Sequence, residues 1–148
     1  MTRLTLDIAT RIVDAALEKA GAMAAKPLCV VVLDAGGHLL ALKRHEDASL
    51  FRAEIATAKP QGALGMGSGS RTLAERAAAS PAFFAAIAAV TAGRIVPVPG
   101  GVLIRDADGT IVGAVGISGD QSDVDEACAV AGVANVGLSP DPGGKRGG

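Results

Sequence analysis

The sequence predicts an α+β fold, one sheet carrying helices, on three observations. Residues 28–34 (LCVVVLD) and 111–117 (IVGAVGI) are continuous apolar runs of strand-forming residues, and strands of that kind need cover on both faces. Each run belongs to a hairpin. Residues 28–34 turn through Ala35-Gly36-Gly37 into 38–43, and residues 102–105 turn through Asp106-Ala107-Asp108-Gly109 into 110–118. Stretches of helical periodicity precede, separate and follow the hairpins. The two hairpins are therefore expected in a single sheet.

Thr5 is the expected N-cap of the first helix, with Asp7 in its first turn at the positive end of the helix dipole. Ile8, Ile12, Ala16 and Ala20 recur at helical spacing beside Val13, Leu17 and Ala24, a stripe rich in small residues that lets the helix approach a sheet closely. Gly21 and Pro27 end it before the first strand. After the first hairpin, Arg44-His45-Glu46-Asp47 reads as a solvated link. The next helix is expected from Ser49 as N-cap through Phe51, Ile55 and Ala58. Lys59-Pro60 should end or kink it, because proline disfavours helix at the residue before it. Residues 61–71 (QGALGMGSGSR) then read as a mobile or tightly turned glycine-rich segment. Its GMGSG core lacks the lysine of a phosphate-binding loop and does not directly follow an expected strand.

Thr72-Leu73-Ala74-Glu75 has the form of a capping box and should start a helix. Ser80-Pro81 starts the next, with Phe83, Ile87 and Val90 on one face and Gly93 closing it. Beyond the second hairpin, Ser122-Asp123-Val124-Asp125 caps a last helix that carries Val124, Cys128, Ala131 and Val136. One domain is expected over residues 1–138, with residues 139–148 (SPDPGGKRGG) a flexible tail.

Composition narrows the function. With 49% hydrophobic and 20% charged residues in 148, the chain has the balance of one globular domain. A net charge of -1 without a long basic run argues against nucleic acid as a partner, and the absence of Trp and Tyr removes a stacking platform for bases. Charged residues interrupt each apolar stretch, so no membrane span is expected. The N-terminal stretch carries acids and no long apolar core, so it does not read as a secretory signal, and a cytoplasmic protein is expected. Cys29 and Cys128 lack metal-type spacing and read as buried free thiols, so no metal site is expected.

The stretch around the second hairpin, residues 96–119 (VPVPGGVLIRDADGTIVGAVGISG), concentrates bare backbone. Gly100-Gly101 precedes one strand, Ser118-Gly119 ends the other, and Gly113 and Gly116 interrupt it, as at a bulge or a close approach. Taken in order, VVVLDAGGHLLALKR, an A-x-x-A-x-x-K helix ending at Lys59, VPGGVLI, IVGAVGISG and DEACAVAG resemble the GlcG/HbpS-like family over residues 5–137. That family holds haem-binding and haem-degrading-domain-like proteins and the C-terminal domain of PduO-type corrinoid adenosyltransferases. The resemblance implies about five mainly antiparallel strands in a profilin/PAS-like layout with helices packed on them, and a homo-oligomer. It also implies haem or another tetrapyrrole as ligand. By motif position it singles out His38, Arg44, Lys59, Gly100, Gly101, Ser118, Gly119, Asp125 and Glu126. The chain departs from the family where Pro60 follows Lys59 and where residues 61–71 are richer in glycine.

Two classes of function follow. The first is a small-molecule-binding protein for haem, a tetrapyrrole or an anionic metabolite. His38, His45, Cys29, Cys128 and the three methionines are the residues able to ligate iron. The second is a cofactor-independent isomerase or lyase acting on a small carboxylated metabolite. Lys59 would then serve as acid or base, with Asp125 and Glu126 orienting it or taking a proton. Arg44, Arg71 or Arg76 would clamp a carboxylate and the Gly100-Gly101 amides would hold an oxyanion. Each piece has a structural counterpart: surface arginines, a lysine at a helix C-terminus, an aspartate in a capping box. Either way, Lys59, the diglycine and at least one of these arginines are expected to face one pocket.

Overall fold

In the computed structural model, which describes residues 3–144, the two hairpins meet edge to edge. The first helix, α1 (Leu6–Ala22), leads into β1 (Cys29–Asp34) and β2 (Leu39–Arg44). Three helices follow, α2 (Arg52–Met66), α3 (Ser70–Ala79) and α4 (Pro81–Val90), then β3 (Gly101–Arg105), β4 (Ile111–Ser118), α5 (Ser122–Asn135) and β5 (Ser139–Asp141). The strands form one antiparallel sheet in the order β2-β1-β4-β3-β5, with β1 joined to β4 from Cys29 opposite Ser118 to Asp34 opposite Gly113. The fold is α+β, with both hairpins in one sheet as the apolar runs require.

Alternation along the strands gives the sheet two unlike faces. Val30, Val32, Val115 and Ile117 point to the side of α1 and α5, where they meet Ile12, Val13, Ala16, Cys128 and Val133 in the main core. The other face presents Val31 and Leu33 to Ala56, and Ala114 to Ala63. These small residues bring α2 down almost onto the backbone of β3 and β4.

Lys59-Pro60 is expected to end or kink α2; this close packing carries the helix past it, so it does not end there. The helix runs through Pro60 to Met66 and ends at Gly67, whose φ of 71° is the left-handed cap that glycine adopts without strain. Proline removes the N–H that would bond Ala56 O and ordinarily crowds the helix. Here the missing side chain of Gly116 makes room: a Cβ there would lie 2.0 Å from Ala56 O and 2.3 Å from Pro60 Cδ. Residues 61–66, read as part of a glycine-rich turn, are therefore helical.

Helix starts also differ. Ser49 does not cap α2; its Oγ accepts from Arg52 Nε, and Phe51 is the N-cap position. Helix α3 begins at Ser70 behind Gly69, ahead of the proposed capping box, and α5 has Gln121 at its N-cap. Within the segment read as a flexible tail, Ser139–Asp141 pairs with β3, and Arg105 Nε donates to Asp141 Oδ2 at 2.9 Å. Gly144 N–H donates to Thr72 Oγ1, tying the segment to α3; residues 145–148 of that reading lie outside the described residues.

Gly116→Ala should lower stability by about 1–3 kcal/mol through overpacking against Ala56 and Pro60. Gly21→Ala, where a Cβ meets nothing within 4 Å in α1, should raise it by about 0.5 kcal/mol. Urea denaturation of the two variants beside the parent checks both signs.

Candidate functional site

The sheet has a closed end and an open end, and the residues singled out from sequence divide between them. At the closed end, where β4 finishes beside the start of β3, Lys59 leaves α2 and crosses to α5. Its Nζ donates to Ile117 O at 2.7 Å and to Asp125 Oδ2 at 3.3 Å, and the two side chains are 2% and 1% exposed. Asp125 Oδ1 accepts the Asp120 N–H, so both charges are bonded. Burial pulls the Lys59 ammonium pKa down and pushes the Asp125 carboxyl up, each opposed by the charge of the other.

The diglycine belongs to this packing. A Cβ on Gly100 would lie 2.7 Å from Lys59 Nζ, and one on Gly101 2.6 Å from Lys59 O. The Gly101 N–H donates to the buried Ser70 Oγ at 2.7 Å, so that amide is already committed rather than open to an oxyanion. Ser118 accepts from Arg52 Nη1 at 3.1 Å. Gly119 packs on Pro27 and Leu28. Glu126 accepts from Arg71, which also donates to Asp123, and these bonds to the two carboxylates are the chief cause that raises the Arg71 pKa.

Lys59, Gly100, Gly101, Ser118 and Asp125 are thus brought together, with Glu126 and Arg71 alongside. Arg44 and Arg76 are elsewhere. Arg44 bonds the Ala48 carbonyl, and Arg76 stacks 5.7 Å from the Phe84 ring centroid. Sequence reasoning missed Arg52, whose three-residue spacing from Ser49 is the local signal for their bond.

At the opposite end, His38 sits where β1 turns into β2. Asp34 Oδ1 accepts the Gly36 and His38 N–H groups, each at 2.9 Å, and lies 3.1 Å from His38 Nδ1. Burial pushes the Asp34 carboxyl up, but the bonds from His38 and Gly36 outweigh it and hold the group below the usual carboxylate range. His38 lines a cavity of about 470 Å³ at this end of the sheet, together with Arg3, Leu4, Leu40, Ile111 and Val112.

Two register shifts build that lining. Between Val32 and Leu33 the β1–β2 register skips Leu40, and between Ile104 and Arg105 the β3–β4 register skips Val112. Each extra residue turns a side chain toward the α1 face that strict alternation would send to the other. Asp34, four residues before His38 across a double glycine, is the partner that sequence reasoning missed.

Residues 4–134 match the family model described as haem degrading protein HbpS-like. The chain is similar to the solved structure of a PduOC:haem complex, at 25% identity and a TM-score of 0.83 over 93% of this chain and 98% of that one. It is similar to a double mutant of Streptomyces reticuli HbpS, at 29% identity and a TM-score of 0.77 over 91% and 88% of the two chains. Klebsiella pneumoniae protein ORFY shares the fold, with a TM-score of 0.82 at 21% identity over 93% of each chain. Among curated proteins none matches the chain in sequence.

The closed end makes a stability prediction. Lys59→Met leaves Asp125 buried without its cation and should cost about 3–5 kcal/mol. Replacing both partners, Lys59→Met with Asp125→Leu, should cost less than the sum of the single changes, because no charge is left unpaired. A double-mutant cycle in urea checks it; additive losses would show that the pair is not coupled.

Proposed function

The chain belongs to the HbpS-like family of haem degrading proteins, and from that premise we propose that it binds haem or a related anionic tetrapyrrole at the Asp34–His38 end of its sheet. The observation that carries this reading is an imidazole beside an apolar cavity, with a carboxylate bonded to one of its two nitrogens. The residues present fit the group. His38 supplies a nitrogen ligand, Leu4, Leu40, Ile111 and Val112 supply apolar walls, and Arg3 supplies a cation for a propionate. A cavity of about 470 Å³ lies within the usual range for small-molecule sites. Bound haem would supply an iron centre able to take further ligands or an electron; the chain's part is to hold and orient it.

The similarity to a PduOC:haem complex supports the same ligand class. Acid–base chemistry by Lys59 on a carboxylated metabolite is not part of this reading, because its ammonium is 2% exposed and bonded within the protein. The proposal includes a cytoplasmic homo-oligomer, for which the exposed Phe83 and Val90 of α4 offer apolar surface. Among the described residues, no helix is long and apolar enough to cross a membrane.

Haemin added to the purified chain should give a saturable change in the Soret band. His38→Ala should weaken binding by about tenfold or more, equivalent to at least ~1.4 kcal/mol. Protoporphyrin without iron should bind more weakly than haemin, since the nitrogen–iron bond is missing. No saturable change in the parent chain, or equal affinity in His38→Ala, would overturn the assignment.

A further inference from the structure

We infer that Asp34 and Gly36 are positioning residues that fix His38 as its Nδ1–H tautomer, leaving Nε2 as the nitrogen offered to a metal centre in the adjoining cavity. The inference rests on the binding reading above for what occupies the cavity, but not for the state of the ring. Three features of the turn support it independently.

The first is the acceptor. An ionised carboxylate only accepts hydrogen bonds, so the ring nitrogen 3.1 Å from Asp34 Oδ1 must carry the proton. Its lone pair is then on Nε2, the nitrogen available to a metal. A carboxylate behind a ligating histidine also raises the basicity of the ligand and fixes the orientation of its ring. The second is the anchoring of the carboxylate. Asp34 Oδ1 also takes the Gly36 and His38 N–H groups, so the side chain that directs the ring is itself held at two further points.

The third is the space over Gly36. A Cβ there would lie 2.8 Å from His38 Cε1 and 2.9 Å from Nδ1. The ring therefore folds back over position 36, and only a residue without a side chain leaves it room. Gly37, with a φ of 83°, makes the left-handed step of the turn, and Gly36 does not share that conformation. Alanine at 36 would thus be tolerated by the backbone and would act on the ring alone.

The test begins with the ligand-free chain. Long-range ¹⁵N–¹H NMR, recorded above the pH range of imidazole titration, should show His38 protonated at Nδ1. Gly36→Ala should displace the ring and shift His38 toward the Nε2–H form that an unconstrained neutral histidine side chain prefers. Asp34→Asn keeps an oxygen for the two backbone N–H groups and should do the same more weakly, since a neutral amide is a poorer partner for the ring. Haemin titration should then show about tenfold or greater loss of affinity in Gly36→Ala, in line with the effect of outer-shell partners on metal sites. In Asp34→Asn, the bound iron should have a more positive reduction potential, because its nitrogen ligand is less basic.

An Nε2–H ring in the parent chain, or variants with unchanged tautomer, affinity and potential, would overturn the inference. The expected tautomers without haemin binding by the parent would uphold the positioning roles and reject the haem reading instead. Should Asp34→Asn fail to fold, Gly36→Ala alone decides, because it removes neither a charge nor a backbone bond.

Discussion

Helix α2 rests on the sheet at backbone distance, and much of the molecule is arranged to permit that contact. Ala56 O faces Gly116 and Lys59 O faces Gly101, at separations no Cβ could share. The sheet beneath offers Ala114, and the helix offers Ala56 and Ala63. Such tight packing gains dispersion contacts over many small atoms, but where α2 meets the backbone at Gly101 and Gly116 no side chain stands between them to fix how the helix is rotated. Lys59 supplies that missing definition. Its stem passes Gly100 and its ammonium reaches Ile117 O and Asp125, tying α2 to β4 and to a helix on the opposite face.

A buried ion pair is a weak source of net stability, because desolvating both charges offsets most of their attraction. Its influence lies in what it excludes. Turning α2 by one residue would move the ammonium away from both acceptors and leave Asp125 as an unpaired charge in the core, a change several kcal/mol uphill by the usual cost of such defects, roughly 3–5 kcal/mol. Lys59, Asp125, Ser70 and Ser118 are polar and buried, yet each is bonded to a named neighbour. Together they are better understood as the internal fastening of this fold than as an open reaction centre.

Much of the fold was legible in the sequence because the signals were local. Hairpin turns, the Thr5 cap and apolar periodicity each act over a few residues, and Thr5 Oγ1 does accept from the Ile8 N–H. What could not be read depended on distant partners. Pro60 is a helix breaker on local grounds, and its tolerance depends on a glycine 56 positions later in the chain. Ser139–Asp141 contains a proline and carries no periodicity; it is a strand because the edge of β3 is there to receive it. The site divided in the same way. Lys59, Ser118, Asp125 and the diglycine do converge, but chemical type alone could not reveal that their bonds are taken up within the protein, by each other and by Arg52, Ser70, Ile117 and Asp120.

The open end of the sheet has the opposite design. Strand β1 is paired on both sides and buried up to Leu33, so Asp34 projects from the end of a well-held strand. At that point both hairpins depart from regular pairing. The shifts that displace Leu40 and Val112 turn both side chains toward the face where Leu4 packs, and all three line the cavity. His38 is held beside this cavity by one nitrogen while its side chain remains 81% exposed. An imidazole serving only to close a turn would not need its outer edge left accessible, and a glycine whose Cβ would strike the ring would not be needed by a freely moving side chain. On the proposed reading, strand, irregular rim and directed ring form one device, with Nε2 as the nitrogen left for a ligand.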